Sequence, residues 1–320
     1  MQSPTPSAVA PGLIREHALG REQWQAIASR SFVPLTVDSP RGTPFTAHLE
    51  GRVSDGILFS TVRASGHSVT RSQDLVDASA ESYVKLTLQL SGTGVLTQDE
   101  RTALLSPGDI GLYDTSRPYT LAFADDLAAV VVMFPHRMIN VDATILRGLT
   151  AVRIPGDQGF ARAVGHFLAG LASALPTLDE ATGVQVTHNT MDLIATMVGQ
   201  ELRDAPWSDP HAELMFRIDT FINAHLHEPD LGPERIAAAA YISTRHLHTL
   251  FQRRGTTVSH WVRDRRLDHV RRDLRDPRHA RHGVAAVAAA WGFTDPSHFS
   301  KLFRAQVGVS PSEYRGAVLA

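Results

Sequence analysis

One pattern occurs twice in the last third of this 320-residue chain, about 52 residues apart. The first copy, LGPERIAAAAYISTRHLHTLFQRRG, begins at Leu231, and the second, VAAVAAAWGFTDPSHFSKLFRAQVGVSPSEYR, begins at Val284. In the first, Pro233 suits an opening helical turn, Ile236 to Ala240 forms a narrow alanine-rich body, and Tyr241-Ile242 ends it. Ser243 then caps a second helix, Leu247, Leu250 and Phe251 face inward, and Gly255 closes it. In the second copy Asp295-Pro296 supplies a cap and a first-turn proline, and Phe299, Leu302 and Phe303 repeat the apolar triad. Gly292 sits in the turn, and Gly308 ends the helix. A single such match does not separate a helix-turn-helix from an ordinary hairpin, but two in register do. Small alanines let the paired helices cross closely. Arg245, His248, Thr249 and Gln252 are thereby left on the wet face of one second helix, and Ser297, His298, Lys301 and Arg304 on that of the other.

Between the copies, Ser259 to Leu274 reads as one continuous helix. Trp261, Val262, Leu267, Val270 and Leu274 form its buried side, with Arg263, Arg265, Arg271 and Arg272 elsewhere. Sixteen residues span about 24 Å, so this rod and the units it joins can set two exposed helices near the ~34 Å between successive major-groove faces of DNA. Charge follows the same division. The chain as a whole carries a net charge of -2, yet residues 205–320 hold 16 Arg and Lys against 12 Asp and Glu, and residues 245–320 hold 14 against 6. Ten of the sixteen histidines also lie beyond residue 205. Only Lys85 and Lys301 are lysines, so the cationic surface is almost entirely Arg, suited to bidentate recognition of guanine or phosphate.

Upstream the text differs. Residues 1–20 begin MQSPTPSAVAPG and read as a flexible arm, and Arg21 to Arg30 as a short helix with Trp24 and Ile27 on one side. Residues 21–155 alternate short β-type runs with turn residues, which predicts an antiparallel barrel. Residues 156–204 change to helical period, with Phe160, Val164, Phe167, Leu168, Leu171 and Leu175 on one stripe and Met191, Ile194, Ala195, Val198 and Leu202 on another. They read as a helical hairpin whose outer side either pairs two copies of the chain or simply covers the barrel. DAPWSDP, Asp204 to Pro210, marks a linker, with the boundary segment taken as 205–211, ahead of a helical domain over 212–320. The fold class expected is therefore α+β multidomain: an N-terminal antiparallel β-barrel with a helical hairpin, then an all-α domain whose two helix-turn-helix units are joined by a long helix.

Several chemistries drop out. The chain has no cysteine, which removes disulfides, thiolate nucleophiles and cysteine-ligated zinc. His48 and His67 stand apart, His225 and His227 point to different helix faces, and His279 and His282 lack a third ligand, so no metal or other cofactor is expected. Ser91-Gly92-Thr93-Gly94 sits between β-type runs and opens no helix, which makes it a turn rather than a nucleotide fingerprint. No run approaches the ~18 apolar residues of a membrane span and no leader pattern opens the chain, so a cytoplasmic address is expected. If the barrel is hollow, alternate apolar residues such as Val84, Leu86 and Leu88, with Leu112, Tyr119 and Leu121, are the expected lining, and His67 and Arg63 are candidate polar contacts.

The tract from Leu214 to Arg315, with ISTRHLHTLFQRRG, RDRRLDHVRRDL and the pattern GF-x-D-x-x-HFS-x-x-F-x-x-x-x-G-x-SP-x-x-YR, resembles the DNA-binding domain of the AraC/XylS family of bacterial transcription regulators. The stretches SFVPLTVDSPRGTPF, LQLSGTGV, LLSPGD and LYDTSRPYTL are similar to that family's cupin-like ligand-binding domain. The resemblance implies a sequence-specific DNA-binding regulator, activating transcription in response to a small-molecule effector, working as a homodimer and contacting RNA polymerase. It places Arg245, His248 and Thr249 of the first exposed helix, and Ser297, His298 and Lys301 of the second, at base-contacting positions. Pro296 and Ser297 make the second helix less polar, so its role is expected to be weighted toward the phosphate backbone. A constitutive DNA binder without ligand is the alternative, as is a DNA-binding module fused to an enzyme. For the latter, alkyl-transfer and amidotransferase chemistry both lack their cysteine.

Overall fold

Short runs rich in β-branched and aromatic residues, each closed by Gly, Asp, Ser or Pro, dictate strands rather than helices across the first half of the chain. The computed structural model describes residues 12–40, 42–139, 141, 143–204 and 210–319. They divide into two compact units, one within residues 1–206 and the other within residues 207–320.

The first unit contains strands β1 (Gly12–Ala18), β2 (Thr36–Asp38), β3 (Ala47–Ser54), β4 (Ile57–Ala64), β5 (His67–Arg71), β6 (Val84–Ser91), β7 (Gly94–Gln98), β8 (Arg101–Leu105), β9 (Ile110–Asp114), β10 (Tyr119–Phe123), β11 (Leu127–Phe134) and β12 (Arg153–Ile154). They form a seven-stranded sheet in the order β1-β3-β4-β11-β6-β9-β12 and a five-stranded sheet in the order β2-β5-β10-β7-β8. Strand neighbours within both sheets run antiparallel, giving the cupin-like architecture expected. Helix α1 (Arg21–Ser31) buries Trp24, Ile27 and Ala28 in the same core as Leu49, Leu58, Val62, Ala129 and Val131. Two short helices, α2 (Gln73–Asp77) and α3 (Ala143–Leu146), fill connections. Helices α4 (Gly159–Ala174) and α5 (Glu180–Asp204) pack on each other and cover the outer face of the larger sheet, α4 against β4, β6 and β11 and α5 against β3. Their predicted stripes are largely consumed there, since Val164, Leu168, Leu171, Met191, Ile194, Val198 and Leu202 are buried. Phe167 alone of the large stripe residues is well exposed.

One expectation is corrected. Residues 1–11 of the arm, like 205–209 of the linker, lie outside the described residues, but 12–18 are not an arm. They form β1, paired residue for residue with β3. Arg15 reaches Glu50 at 2.8 Å, and His17 stacks on His48 with ring centroids 4.2 Å apart. An edge strand needs only one hydrogen-bonding partner and a half-buried face, so its pattern is too weak to read in isolation.

The second unit is helical: α6 (Pro210–His225), α7 (Pro233–Ala239), α8 (Thr244–Arg253), α9 (Val258–Arg275), α10 (Val284–Ala290), α11 (Pro296–Val307) and α12 (Pro311–Leu319). The predicted long helix is α9, capped by the Thr257 hydroxyl, which accepts from the His260 amide at 3.2 Å. Its eighteen residues span about 27 Å. Its inward side carries Val262, Leu267, Val270 and Leu274 as expected, and Trp261 is half-buried. Arg265 departs from the reading: only 5% exposed, it lies with its guanidinium 4.2 Å from the Trp261 ring centroid, because a planar, weakly hydrated cation can be buried against an aromatic face.

Candidate nucleic-acid interface and barrel cavity

The first helix-turn-helix is α7 and α8, the second α10 and α11. Ile236 and Ala237 on α7, and Leu247, Leu250 and Phe251 on α8, are buried. The Ser243 hydroxyl accepts from the His246 amide at 3.1 Å, satisfying a free donor at the start of α8. Ser243→Ala is expected to cost about 1 kcal/mol of stability, while Ser243→Asp retains it. Thermal denaturation checks the pair.

In the second helix-turn-helix Val287, Ala288, Phe299 and Phe303 join Leu267, Val270, Leu274 and Tyr314 in one core. The Asp295 carboxylate accepts from the Ser297 and His298 amides at 2.8 and 3.0 Å, which holds its pKa below the usual carboxylate value. Gly308 ends the helix at φ 88°. The two copies differ by one residue in the turn. In the first, Ile242 N donates to Ala237 O; in the second, Phe293 N donates to Ala288 O, an offset of 51, yet the capping residues are 52 apart. The left-handed turn residue is Gly292 in one copy, where a Cβ would lie 2.8 Å from the Arg266 guanidinium carbon, and Tyr241 at φ 58° in the other.

Helix α9 is clamped to both helix-turn-helix pairs. Arg254, which ends α8, donates both terminal nitrogens to Asp219 of α6 at 2.9 and 2.6 Å, and its guanidinium lies 3.7 Å from the ring centroid of Trp261 on α9. Arg266 of α9 donates to the carbonyls of Leu226 and Glu228. Farther along, Asp273 accepts from Trp291 Nε1 at 2.6 Å, and His269 stacks on that indole at 4.1 Å. Burial and the Arg272 and Arg265 charges push the His269 pKa down to about 3, so the ring stacks as neutral imidazole.

Every sequence-predicted contact residue sits on α8 or α11. Arg245, His248 and Gln252 are exposed and Thr249 half-buried, its hydroxyl donating to Arg245 O at 3.0 Å. Ser297, His298, Lys301 and Arg304 are exposed. Positions 245, 248, 249 and 252, and positions 297, 301 and 304, recur at helical spacing on one side, opposite the apolar triads, which are buried except for the half-buried Leu302.

The barrel cavity lies between the two sheets, lined by β4, β6, β9 and β11 from one, β5 and β10 from the other, and α1. The cavity is small, with a volume of about 50 Å³. Tyr119 and Leu121 line it, as expected, and so does His67. Val84, Leu86 and Leu88 do not. They are buried on the opposite face of β6, where Leu88 meets α4 at Gly165, and Lys85 and Thr87 face the cavity instead. Likewise Tyr113 rather than Leu112 looks inward from β9, and Arg63 lines a separate open groove with Arg15, His48 and Glu50. With β6 covered on both sides, its more apolar face goes to the helix layer. The alternation was legible; its phase was not.

His67 is saturated. Its Nδ1–H donates to Ser65 O at 2.8 Å and its Nε2 accepts from Trp24 Nε1 at 3.3 Å, while burial lowers its pKa. It is a neutral structural histidine. Among the described residues no group of three His, Asp or Glu side chains is placed to hold a metal, and no helix is long and apolar enough to cross a membrane.

The AraC-binding-like domain family matches residues 24–198 of the chain, and a helix-turn-helix domain family matches residues 236–317. The chain belongs to the AraC/XylS family of transcription regulators. Among its relatives, the transcriptional activator NphR of Rhodococcus is 32% identical over 92% of this chain and 89% of its own. The XylDLEGF operon transcriptional activator 1 of Pseudomonas putida is 24% identical over 65% of each chain. The crystal structure of the AraC-like transcriptional activator CuxR shares the fold at a TM-score of 0.52, with 24% identity, covering 79% of this chain and 94% of that one. This AraC/XylS member is accordingly a helix-turn-helix, DNA-binding transcription regulator. Sequence reasoning missed its structural arginines, Arg254 and Arg265, by counting every Arg as surface. It also missed Lys85, although a lone lysine inside a β run is a visible signal in a chain with only two.

Proposed function

We propose that this AraC/XylS protein reads two successive major-groove segments of its operator with Arg245, His248, Thr249 and Gln252 on one recognition helix and Ser297, His298, Lys301 and Arg304 on the other. One observation carries the reading: the two cationic, capped helices turn their outer faces to solvent while a single helix, α9, is bonded to the elements on both sides of it. A bridge of about 27 Å suits adjacent turns, with bending of the duplex taking up any shortfall.

Its relatives NphR and the XylDLEGF operon regulator are transcriptional activators, and we extend that sign of regulation to this chain. An effector enters the barrel cavity and shifts the balance between two arrangements of the protein. Two copies pair through the outer side of the α4–α5 hairpin, where Phe167 is exposed, and the bound dimer contacts RNA polymerase in the cytoplasm. A built cavity favours this reading over constitutive binding.

The test is selection of bound sequences from a random DNA pool with the purified chain, repeated with variants. Arg245→Ala is expected to cost about 1–3 kcal/mol of binding and relax selection at one base pair. His298→Ala and Lys301→Ala are expected to weaken binding uniformly and, for Lys301, lower the salt slope by about one. A larger change of base preference in the α11 variants than in Arg245→Ala would reverse the assigned roles, and selection of no common motif would remove the proposal.

A further inference from the structure

The outer face of the larger sheet carries a row of nitrogen bases that the core does not use. Leu49 and Val62 point into the core, so by strand alternation His48, Glu50, Thr61 and Arg63 point the other way. On β1, Ile14 packs inward and Arg15 and His17 face out. Register then sets His17 opposite His48 and His48 opposite Arg63 across three strands, neighbours about 5 Å apart. The two imidazoles stack with centroids 4.2 Å apart. These side chains line an open groove of about 470 Å³, on the opposite face of the sheet from the barrel cavity, whose wall includes Val62.

Charge in the groove does not balance. Its two carboxylates are already matched, Glu50 with Arg15 at 2.8 Å and Glu16 with Arg30 at 2.6 Å. Arg63 has no ion pair or hydrogen bond among the described residues, and neither have the ring nitrogens of His17 and His48 or the Thr61 hydroxyl. Like charges set directly opposite one another across strands repel, and an anion laid along the row relieves that repulsion. A metal ion fits less well. Two imidazoles would have to hold it between Arg15 and Arg63, and no group of three His, Asp or Glu among the described residues is placed to help.

We propose that this groove binds a small phosphate monoester with a hydroxylated body, its phosphate on Arg63, His48 and Thr61 and its hydroxyls on His17 and the second carboxylate oxygen of Glu50. The site is separate from the barrel cavity, so its ligand does not compete with one bound there.

The lining selects that chemistry over its neighbours. A guanidinium meets phosphate oxygens two at a time, and the imidazole and hydroxyl donors beside it match the third. A carboxylate would be used up by the guanidinium and leave those donors without an acceptor. Leu49 is the one apolar residue in the lining, so an apolar body would find little to bury against, whereas the Glu50 and Glu16 carboxylates can accept from hydroxyls. A groove of about 470 Å³ exceeds what inorganic phosphate fills and suits an ester the size of a sugar.

The experiment is isothermal titration calorimetry of the full chain with glucose-6-phosphate and glycerol-3-phosphate, each against its parent alcohol, and with inorganic phosphate. The esters are expected to bind at least about tenfold more tightly than glucose or glycerol and at least about threefold more tightly than inorganic phosphate. Arg63→Gln is expected to weaken the esters at least about tenfold and His48→Gln about threefold. Arg21→Gln, which removes an exposed arginine paired with Asp38 outside the groove, should leave them unchanged. Arg63 and His48 are exposed, so neither replacement disturbs the core, and the unfolding midpoint of each variant verifies this. Parent alcohols or inorganic phosphate binding as tightly as the esters, ester affinity unchanged in Arg63→Gln, or an equal loss in Arg21→Gln would each overturn the proposal. So would silence from both esters, and zinc binding that His48→Gln abolishes would then give the row to a metal.

Discussion

Arg254→Ala is expected to destabilise the DNA-binding unit by about 3–5 kcal/mol and to abolish operator binding well below the unfolding temperature of the parent. The guanidinium is held bidentately by Asp219, with side chains 10% and 5% exposed, and stacks on Trp261. Removing it takes two charge-assisted hydrogen bonds from a nearly buried carboxylate and withdraws the contact that joins α6 and α8 to α9. The penalty comes from what the carboxylate loses rather than from the pair's own attraction. The double variant Asp219→Leu, Arg254→Met should accordingly recover most of the loss. Denaturant titration of the helical signal, beside a DNA-binding titration, measures both. A cost below about 1 kcal/mol for Arg254→Ala would show that the pair behaves as a surface salt bridge and that α9 is held by its apolar contacts alone.

Lys85→Met is expected to act in the opposite direction, stabilising the ligand-free barrel by about 1–4 kcal/mol at pH 7. The same residue sets a pH dependence. Unfolded, the ammonium deprotonates near its ordinary value of about 10.4; folded, it does so at about 7. Between these values the unfolded chain binds more protons, so the stability of the parent should rise with pH, by on the order of 4 kcal/mol from pH 7 to pH 10. Above about pH 10 the trend reverses, because the buried Tyr113 and Tyr119 phenols keep their protons in the folded state and release them on unfolding. Chemical denaturation of the parent and of Lys85→Met across this range checks the account. A parent curve flat from pH 7 to pH 10 would mean that the amine reaches solvent.

The recognition helices were almost wholly legible in advance. Their caps at Ser243 and Asp295, their stops at Gly255 and Gly308 and their buried triads depend on residues within four positions of each other, and such local chemistry is the same whatever surrounds it. The turn was less so. A tyrosine at φ 58° in one copy does what glycine does in the other, and the Arg266 guanidinium that lies over Gly292 comes from a helix far along the chain.

Amino-acid order by itself determined the division into an alternating half and a helical half, the tandem repeat, and which side of each recognition helix meets water. Those follow from periodicity, and a period needs no partner. Tertiary structure decided what periodicity leaves open: that residues 12–18 close the edge of a sheet, that Arg254 and Arg265 point into the protein, and that Lys85 rather than Leu86 faces the cavity. A strand covered on both sides has two buried faces, and which becomes the lining depends on the helices laid against the other, through contacts such as that of Leu88 with α4, which lie far apart along the chain.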